Sequence, residues 1–343
     1  MSNSIKVAII THTGGAHLGA YFAALADSPE AESVVLVDPD NASVPRAKER
    51  LGSKLTKVYD NADDMLRIEK PSMALVSMEA AKAPPAIDAA LEAGVHVFAE
   101  KPACVRAEEF EALARKADSK HLSLMLALAN RSRPAVKKAR TLIDSGAIGK
   151  IYSTELQFIA DQTRLTRPEY HRRWYAKKAR AGGGHLIWLG IHGLDLAMHV
   201  MGTRCQQVAG FAGVVGGQPL DIEDSAAMAI RFDNDTFASV NSGYYLDRGK
   251  QSMIKIWGSK GWLQLGLIRG EEPLVWYENG SDGPQSYEEP EGVGGYTPFV
   301  RAAVRSVAGL EEPPISSQES LHVLQTIHAF YRSAETGQVQ NVG

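Results

Sequence analysis

The chain has 343 residues, enough for two domains that each bury a substantial core. Its net charge of −3 gives no electrostatic case for binding nucleic acid or an anionic membrane surface. No apolar run approaches the length of a membrane span, and the first residues lack the pattern of a signal peptide. Cys104 and Cys205 lie far apart and lack metal-ligand spacing, which is typical of a reduced protein. We therefore expect a cytoplasmic protein that has neither nucleic-acid nor membrane partners.

The first third of the chain alternates short apolar strands with helices. The predicted strands are 7–10, 34–37, 58–59, 74–76, 96–99 and 122–128. The predicted helices are 18–26, 45–51, 85–93 and 107–117. Continuous apolar strands separated by amphipathic helices indicate a parallel sheet covered on both faces. We predict a doubly wound Rossmann domain over residues 1–128.

The pattern changes after Asn130. A predicted helix over 134–144 precedes strands with alternating polarity at 151–159, 208–214, 225–232, 236–245, 253–258 and 261–267. Residues 281–295 are predicted to be a loop, and 299–333 to be mostly helical. Alternating strands are typical of an antiparallel sheet with one covered face. We predict an α/β domain over 129–343 with a large, open, mostly antiparallel sheet, whose exposed face another subunit covers in a homodimer or homotetramer.

A glycine-bearing turn follows the first strand and includes Thr13, Gly14, Gly15 and His17. Glycine lets the backbone approach a pyrophosphate, and the next helix N-terminus offers free N–H groups to it. The spacing departs from G-x-G-x-x-G, and a glycine turn without a ligand is almost as good an interpretation. Asp38 closes the second strand, where a carboxylate binds ribose hydroxyls and repels a 2′-phosphate. A helix N-cap is the alternative for Asp38. We predict NAD rather than NADP.

Three glycines at 182–184 precede a segment with helical periodicity. At 100° per residue, one face carries imidazole, indole and carboxylate groups, from His185, Trp188, His192, Asp195 and His199. The opposite face is apolar. Burial of these polar groups inside a domain interface explains the pattern almost as well as a binding site does. His192, Asp195 and His199 could approach one metal ion, but the geometry is borderline. We expect no metal, with Asp195 orienting His192 or His199.

Residues 164–180 are strongly basic. The segment holds seven cationic side chains and a single acidic one, Glu169. A solvated loop, or an arm that contacts a neighbouring subunit, accounts for this composition. The sharper interpretation is a lid whose guanidinium groups attract an anionic substrate such as a sugar acid. We count Arg172 and Trp174 among the candidate substrate-binding residues.

The chain resembles the Gfo/Idh/MocA family of NAD(P)-dependent oxidoreductases over nearly its whole length. The resemblance depends on the Glu-Lys-Pro element at 100–102 with its preceding strand, on 142–149, on the glycine run leading to His192 and Asp195, and on 257–261. In that family the lysine of Glu-Lys-Pro binds the reacting oxygen, and the histidine of the glycine-rich helix is the acid/base. The resemblance therefore implies that Lys101 and His192 are catalytic.

Proton chemistry is consistent with both assignments. Hydride leaves carbon only as the hydroxyl proton is removed, and histidine titrates near neutral pH. A lysine ammonium stabilises the developing alkoxide. For Lys101 alone a surface salt bridge is the alternative, but its place at the carboxyl edge of a parallel sheet favours function. The remaining candidate cofactor-binding residues are Ser77, Met78, Glu100, Lys101 and Asn130.

Three positions depart from the family pattern. The usual aspartate four residues before the catalytic histidine is Trp188, which offers a flat apolar face to a sugar ring or else blocks the pocket. The usual Thr-Pro-Asn is replaced by residues 78–80, and the glycine fingerprint is altered. The resemblance still implies NAD-dependent oxidation or reduction of a secondary alcohol on a sugar, cyclitol or sugar acid. An NAD-retaining lyase or glycoside hydrolase, and a non-catalytic dinucleotide-binding regulator, are the alternatives.

Overall fold

A computed structural model describes residues 3–246, 249–268, 271–290 and 294–343. Its strands are β1 Ile5–Thr11, β2 Ala31–Val37, β3 Leu55–Tyr59, β4 Met73–Ser77, β5 His96–Ala99, β6 Leu124–Leu126, β7 Ile151–Asp161, β8 Cys205–Gly213, β9 Ser225–Phe232, β10 Phe237–Leu246, β11 Lys250–Gly258, β12 Gly261–Gly266, β13 Leu274–Glu278, β14 Gln285–Tyr287 and β15 Gln340–Asn341. Its α-helices are α1 Leu18–Ala26, α2 Val44–Leu51, α3 Ala62–Glu69, α4 Ala83–Glu92, α5 Ala107–Ser119, α6 Pro134–Asp144, α7 Pro168–His171, α8 Lys178–Ala181, α9 Ile191–Met201, α10 Tyr296–Val307 and α11 Ser317–Thr336. Within these described ranges, no helix is both long and apolar enough to cross a membrane.

The first six strands form one parallel sheet in the order β3-β2-β1-β4-β5-β6. The order reverses between β1 and β4, so their carboxyl ends flank the point where doubly wound sheets bind ligands. The central strands are buried on both faces, as in the fully buried β4. This confirms the predicted Rossmann sheet.

The remaining strands form a nine-stranded sheet in the order β14-β13-β12-β11-β7-β10-β9-β8-β15. Most neighbouring pairs are antiparallel, whereas β10 and β7 run parallel. In β9 and the first half of β10, burial alternates along the strand, because one face packs on helices and the other faces outward. The predicted open, mostly antiparallel sheet is confirmed.

The structure adds elements that the sequence patterns did not reveal. They include α3, α7, α8, β13, β14 and β15. The loop prediction for 281–295 is wrong at 285–287, which form β14 because they pair with β13; residues 291–293 lie outside the described ranges. The predicted continuous helix after the glycine run begins instead with a π-helical turn, Leu186–Gly190, which α9 continues.

The chain divides into two compact units. The first contains residues 1–129, 179–182 and 294–321, and the second contains 130–178, 183–293 and 322–343. The first unit therefore includes α10, which packs on α1, as well as the Rossmann sheet. Cys104 in the first unit and Cys205 in the second are both buried and free.

Candidate active site

The glycine-bearing turn of the first unit lines a cleft of about 430 Å³. A Cβ on Gly15 would lie 2.2 Å from the Thr11 hydroxyl and 2.6 Å from the Ser77 carbonyl oxygen. Thr11 also donates to that carbonyl, at 2.8 Å, which ties β1 to β4 beneath the turn. The turn then enters α1 through His17, whose φ of 57° lies in the left-handed region. The close approach at Gly15 makes glycine necessary there and leaves the cleft open above it.

Asp38 closes the second strand and is hydrogen-bonded to Ser43, one of the residues that line this cleft. Asp38 is fully buried, and its Oδ2 accepts hydrogen bonds from the Ser43 N–H at 2.7 Å and hydroxyl at 2.6 Å. Among the described residues, its Oδ1 has no hydrogen-bond partner. Asp38 therefore stabilises the turn before α2, which is close to its alternative role as a cap. Arg46 also lines this cleft.

Glu100 and Lys101 follow β5 and are each 2 % exposed. Burial raises the pKa of the Glu100 carboxyl, and the Lys101 charge opposes that rise. Burial lowers the pKa of Lys101, and the Glu100 charge opposes that fall. The charge of Lys101 also adds to burial in lowering the pKa of His17 to about 4. A lysine that can exchange its proton at moderate pH thus lies at the carboxyl edge of the sheet.

Residues 78–80, which replace the family's Thr-Pro-Asn, have a structural explanation. The carboxylate of the buried Glu79 pairs with Arg180, including an Nε–Oε1 contact of 3.2 Å. The Ala81 N–H donates to the Arg180 carbonyl oxygen at 3.2 Å. These contacts anchor residues 179–182 within the first unit. Met78, a candidate cofactor contact, is half-buried, and Ser77 is buried with its hydroxyl donating to Ala16.

The three glycines serve close packing. In the first unit, Gly182 has a φ of +85°, and a Cβ on it would lie 2.9 Å from the Val105 carbonyl oxygen. In the second unit, a Cβ on Gly183 would lie 2.3 Å from the Tyr331 hydroxyl. One on Gly184 would lie 2.0 Å from the Glu223 carbonyl oxygen. No larger residue fits at these positions without movement of backbone or of a buried ring.

Glu223 caps the segment that follows the glycines. Its carboxylate accepts from the N–H groups of Gly184 at 2.5 Å and Leu186 at 3.0 Å, and from the Tyr331 hydroxyl at 2.8 Å. Its own carbonyl oxygen accepts from the His185 N–H at 3.1 Å. These bonds satisfy amide groups that would otherwise be orphans at a helix start. Glu223 and Tyr331 therefore fix where the π-helical turn begins.

The predicted polar stripe does not form one uniform face, because the π-helical turn interrupts the 100° periodicity. His185 is 1 % exposed, with Nδ1 hydrogen-bonded to the Ser242 hydroxyl at 2.7 Å and its ring edge-on to Tyr244. Burial, with a smaller effect of the Arg164 charge, lowers the pKa of His185 to about 3. His185 is therefore neutral at physiological pH.

Asp195 forms a buried ion pair with Arg131. The Arg131 Nε lies 3.0 Å from both carboxylate oxygens, and its Nη2 lies 2.6 Å from Oδ1. The side chains are 6 % and 1 % exposed. This pair ties α9, one turn after His192, to the short 3₁₀ turn Ala129–Ser132. Among the described residues, no group of three His, Cys, Asp or Glu side chains could hold a metal ion.

Trp188 belongs to a three-ring aromatic cluster with Trp174 and Tyr175. The Trp188 ring lies 4.9 Å from Tyr175 at an interplanar angle of 30°, and 5.2 Å from Trp174 at 82°. Trp174 is 5 % exposed, whereas Trp188 and Tyr175 are half-buried. His192, on α9, is also half-buried. Trp188 therefore presents aromatic surface on the same segment as His192, the proposed acid/base.

The basic segment 164–180 is held by its aromatic side chains. Tyr170 packs in a cluster with Leu165 and Tyr244, while Arg172 and Arg173 are exposed. Lys178 pairs with Glu335 at 3.1 Å, and its N–H donates to Asp221. The contacts of Tyr170 and Lys178 therefore anchor the segment, while Arg172 and Arg173 present positive charge to solvent.

Sequence reasoning missed several residues that hold the candidate side chains in place within each unit. They are Arg131, Glu223, Tyr331, Tyr175, Ser242 and Tyr21. Asn130, a candidate cofactor residue, lies on the same 3₁₀ turn as Arg131 and is half-buried. Arg131 lies five residues after the end of a buried strand, which was a usable signal. The contacts of Glu223 and Tyr331 instead join residues 37 to 108 positions apart.

Comparison with known proteins agrees with the fold. The family model described as an oxidoreductase family with an NAD-binding Rossmann fold matches residues 5–128, and the GFO/IDH/MocA C-terminal domain matches 136–264. The chain belongs to the Gfo/Idh/MocA family. These two matches together span well over half of the chain.

Relatives in the family are named dehydrogenases. Levoglucosan dehydrogenase of Pseudarthrobacter phenanthrenivorans is 29 % identical over 54 % of this chain, a match that spans 53 % of that protein. D-xylose 1-dehydrogenase (NADP⁺) 2 of Haloferax volcanii is 23 % identical over 90 % of this chain and 91 % of its own length. The structure of an oxidoreductase domain protein from Kribbella flavida superposes with a TM-score of 0.88, at 23 % identity and 99 % coverage of both chains.

Proposed function

We propose that this protein is an NAD-dependent dehydrogenase acting on a secondary alcohol of a sugar, cyclitol or sugar acid. The observation that carries the proposal is Lys101, buried at the carboxyl edge of the Rossmann sheet beside Glu100. Bound NAD would supply the hydride acceptor. The charged Lys101 stabilises the developing alkoxide, and His192 accepts the hydroxyl proton or returns it in the reverse direction.

The proposal is tested by following NADH formation with a panel of polyols, aldoses, glycosides and sugar acids. Lys101→Met and His192→Ala each lower turnover by roughly a hundred-fold or more, while NAD affinity stays near that of the wild type. Bond cleavage without net NADH would instead indicate a lyase or hydrolase. Nucleotide binding without any turnover would indicate a regulator and contradict the proposal.

We propose that the protein prefers NAD to NADP. The cofactor is held by residues of the glycine-bearing turn, by Asp38 and by residues at the strand ends. The unpartnered Oδ1 of Asp38 supports this, because it can accept from a ribose hydroxyl and repels a 2′-phosphate. Arg46 is the residue that would accommodate a 2′-phosphate. Calorimetry on the wild type, Asp38→Ala and Arg46→Ala separates the two effects. Tighter binding of NADP by the wild type would overturn the preference.

We propose that the cluster of Trp188, Trp174 and Tyr175 binds the C–H face of a sugar ring. Aromatic faces complement the apolar face of a pyranose. Trp188, which packs on the other two rings, stands at the sequence position of the family's usual aspartate. Trp188→Leu then raises the Michaelis constant, whereas Trp188→Phe raises it less. A variant with reduced thermal stability and an unchanged Michaelis constant would show that Trp188 has only a packing role.

We propose a homodimer or homotetramer that covers the outward face of the nine-stranded sheet. Phe237 on β10 is 56 % exposed and Phe211 on β8 is 80 % exposed. Between them, Ala229 on β9 is exposed and small enough for close approach. Light scattering measures the mass of the wild type and of Ala229→Arg. A monomeric wild type, or an Ala229→Arg variant with unchanged mass, would contradict this assembly.

A further inference from the structure

Two phenol groups lead to Glu100, the neighbour of the proposed catalytic lysine. The Tyr21 hydroxyl, on α1, donates to Glu100 Oε2, and Tyr296 at the start of α10 interacts with Tyr21. The Tyr21 and Tyr296 rings meet edge to face, with centroids 5.1 Å apart. Because a phenol has one proton and Tyr21 gives it to the carboxylate, a hydrogen bond between the two phenols has Tyr296 as its donor.

Burial of the charged Glu100 carboxylate costs free energy unless a hydrogen bond or an opposite charge stabilises it. Tyr21 is 0 % exposed and Glu100 is 2 % exposed, whereas Tyr296 is half-buried. Within the described ranges, the second carboxylate oxygen, Oε1, has no hydrogen-bond partner, and Tyr21 is a side chain that donates to Oε2 and so orients this carboxylate. A buried carboxylate keeps its charge only with such a donor or an opposite charge nearby.

The titratable groups around Glu100 come from three elements. Lys101 follows it after β5, α1 supplies Tyr21 and the His17 at its start, and α10 supplies Tyr296. His17 lies against Tyr296, with ring centroids 4.7 Å apart, and is neutral at physiological pH because its pKa is lowered to about 4. Among these described groups, Glu100 is the anion that faces Lys101.

We propose that Tyr21 and Tyr296 are positioning residues that hold the Glu100 carboxylate in its charged form beside Lys101 and so keep Lys101 protonated for the reaction. Neither tyrosine needs to contact substrate for this role. The predicted effect on turnover rests on the function proposed above. The predicted effect on the protonation of Lys101 can be measured without turnover.

The direction of the effect follows from the contacts. The Tyr21 hydrogen bond lowers the pKa of Glu100, and the resulting negative charge raises the pKa of Lys101. Removing the hydroxyl therefore favours neutral Glu100 and lets Lys101 lose its proton at lower pH. Because Lys101 feels the loss of the Glu100 charge, we expect its titration to move about one pH unit lower.

The test compares Tyr21→Phe and Tyr296→Phe with Tyr59→Phe. Tyr59 is a matched control in the same unit, because its hydroxyl also bonds a carboxylate, Glu69, at 2.5 Å, without acting on Lys101. The Lys101 Nζ resonance is titrated by NMR in protein with isotopically labelled lysine, and is assigned by its loss in Lys101→Met. The alkaline decline of kcat/KM is measured in parallel.

In Tyr21→Phe, both the Lys101 titration and the alkaline decline move about one pH unit lower. Tyr296→Phe moves them in the same direction by less, and Tyr59→Phe leaves them unchanged. A Lys101 titration in Tyr21→Phe that matches the Tyr59→Phe control would overturn the proposal. If Tyr21→Phe does not fold, the test uses the variant of the half-buried Tyr296. An unshifted Lys101 titration in Tyr296→Phe then overturns the proposal. A shifted Lys101 without turnover on any substrate would refute the proposed function alone.

Discussion

Replacing Asp195 with alanine should destabilise the second unit by roughly 3–5 kcal/mol, because it leaves the Arg131 guanidinium buried without its counter-charge. Arg131 is 6 % exposed in its side chain, and Asp195 is 1 % exposed. Three N–O contacts of 2.6 to 3.0 Å join them, so the pair is desolvated and two-pronged. The expected loss of unfolding free energy is therefore that of leaving a buried charge unpaired, which exceeds the loss from breaking a surface ion pair.

The matched control is Asp144→Ala. Asp144 pairs with Arg140 at 2.9 Å in the same unit, with side chains 58 % and 38 % exposed. An exposed pair of this kind contributes about 0–1 kcal/mol, because water screens it. The double replacement of Arg131 and Asp195 by leucine removes both charges, and we expect it to be less destabilising than Asp195→Ala alone.

Tryptophan fluorescence during urea unfolding reports on the relevant unit. All five tryptophans of the chain lie in the second unit, at positions 174, 188, 257, 262 and 276. The fluorescence transition thus measures the free energy of unfolding where Arg131 and Asp195 are located. If Asp195→Ala lowers that free energy by no more than Asp144→Ala does, the reasoning about the buried pair is wrong.

Three further predictions concern the same unit. Because the pKa of His185 is lowered from 6.5 to about 3, the folded unit binds fewer protons than the unfolded chain, and its stability is retained above pH 6.5 and lost as pH falls. Between pH 7 and pH 5 His185 contributes about 2 kcal/mol to the change seen in urea titrations, and His185→Gln should reduce the pH dependence by that amount. Tyr331→Phe removes one of the donors to Glu223 and should cost about 1 kcal/mol of unfolding free energy in the same assay, whereas an unchanged value would show that the cap does not need the hydroxyl. Replacing Arg172 and Arg173 with alanine should weaken binding of a charged substrate, with a loss that shrinks in high salt because screening acts over about 10 Å; a lower oligomer mass would instead assign the segment to assembly, and no effect on either would leave a solvated loop.

Much of the fold could be predicted where local pattern and tertiary contacts agree. The helices at 18–26 and 134–144 and the strand at 225–232 have the predicted bounds, because their apolar periodicity matches the face they bury. The helix α3 was missed although Asn61 caps it and acidic residues occupy its first turn, since its short apolar face gives a weak periodic signal.

The interior of the site was harder to predict, because it depends on contacts between distant parts of the sequence. The π-helical turn breaks the simple helical stripe, and its start depends on Glu223 and Tyr331, which no local pattern connects to the glycine run. The polar residues His185 and Asp195 are indeed on that segment, but the structure pairs them with Ser242 and Arg131. Periodicity identifies a polar side chain and does not reveal its partner.

The most direct test of the central claim is a hydride-transfer measurement. A sugar or cyclitol that the protein turns over is labelled with deuterium on the carbinol carbon, and the nicotinamide C4 position is analysed by NMR after reaction. A dehydrogenase that uses Lys101 and His192 as proposed transfers the deuterium to C4, and Lys101→Met abolishes most of that transfer at unchanged NAD affinity. Product that forms without deuterium on C4, or transfer at the wild-type rate in Lys101→Met, would contradict the account.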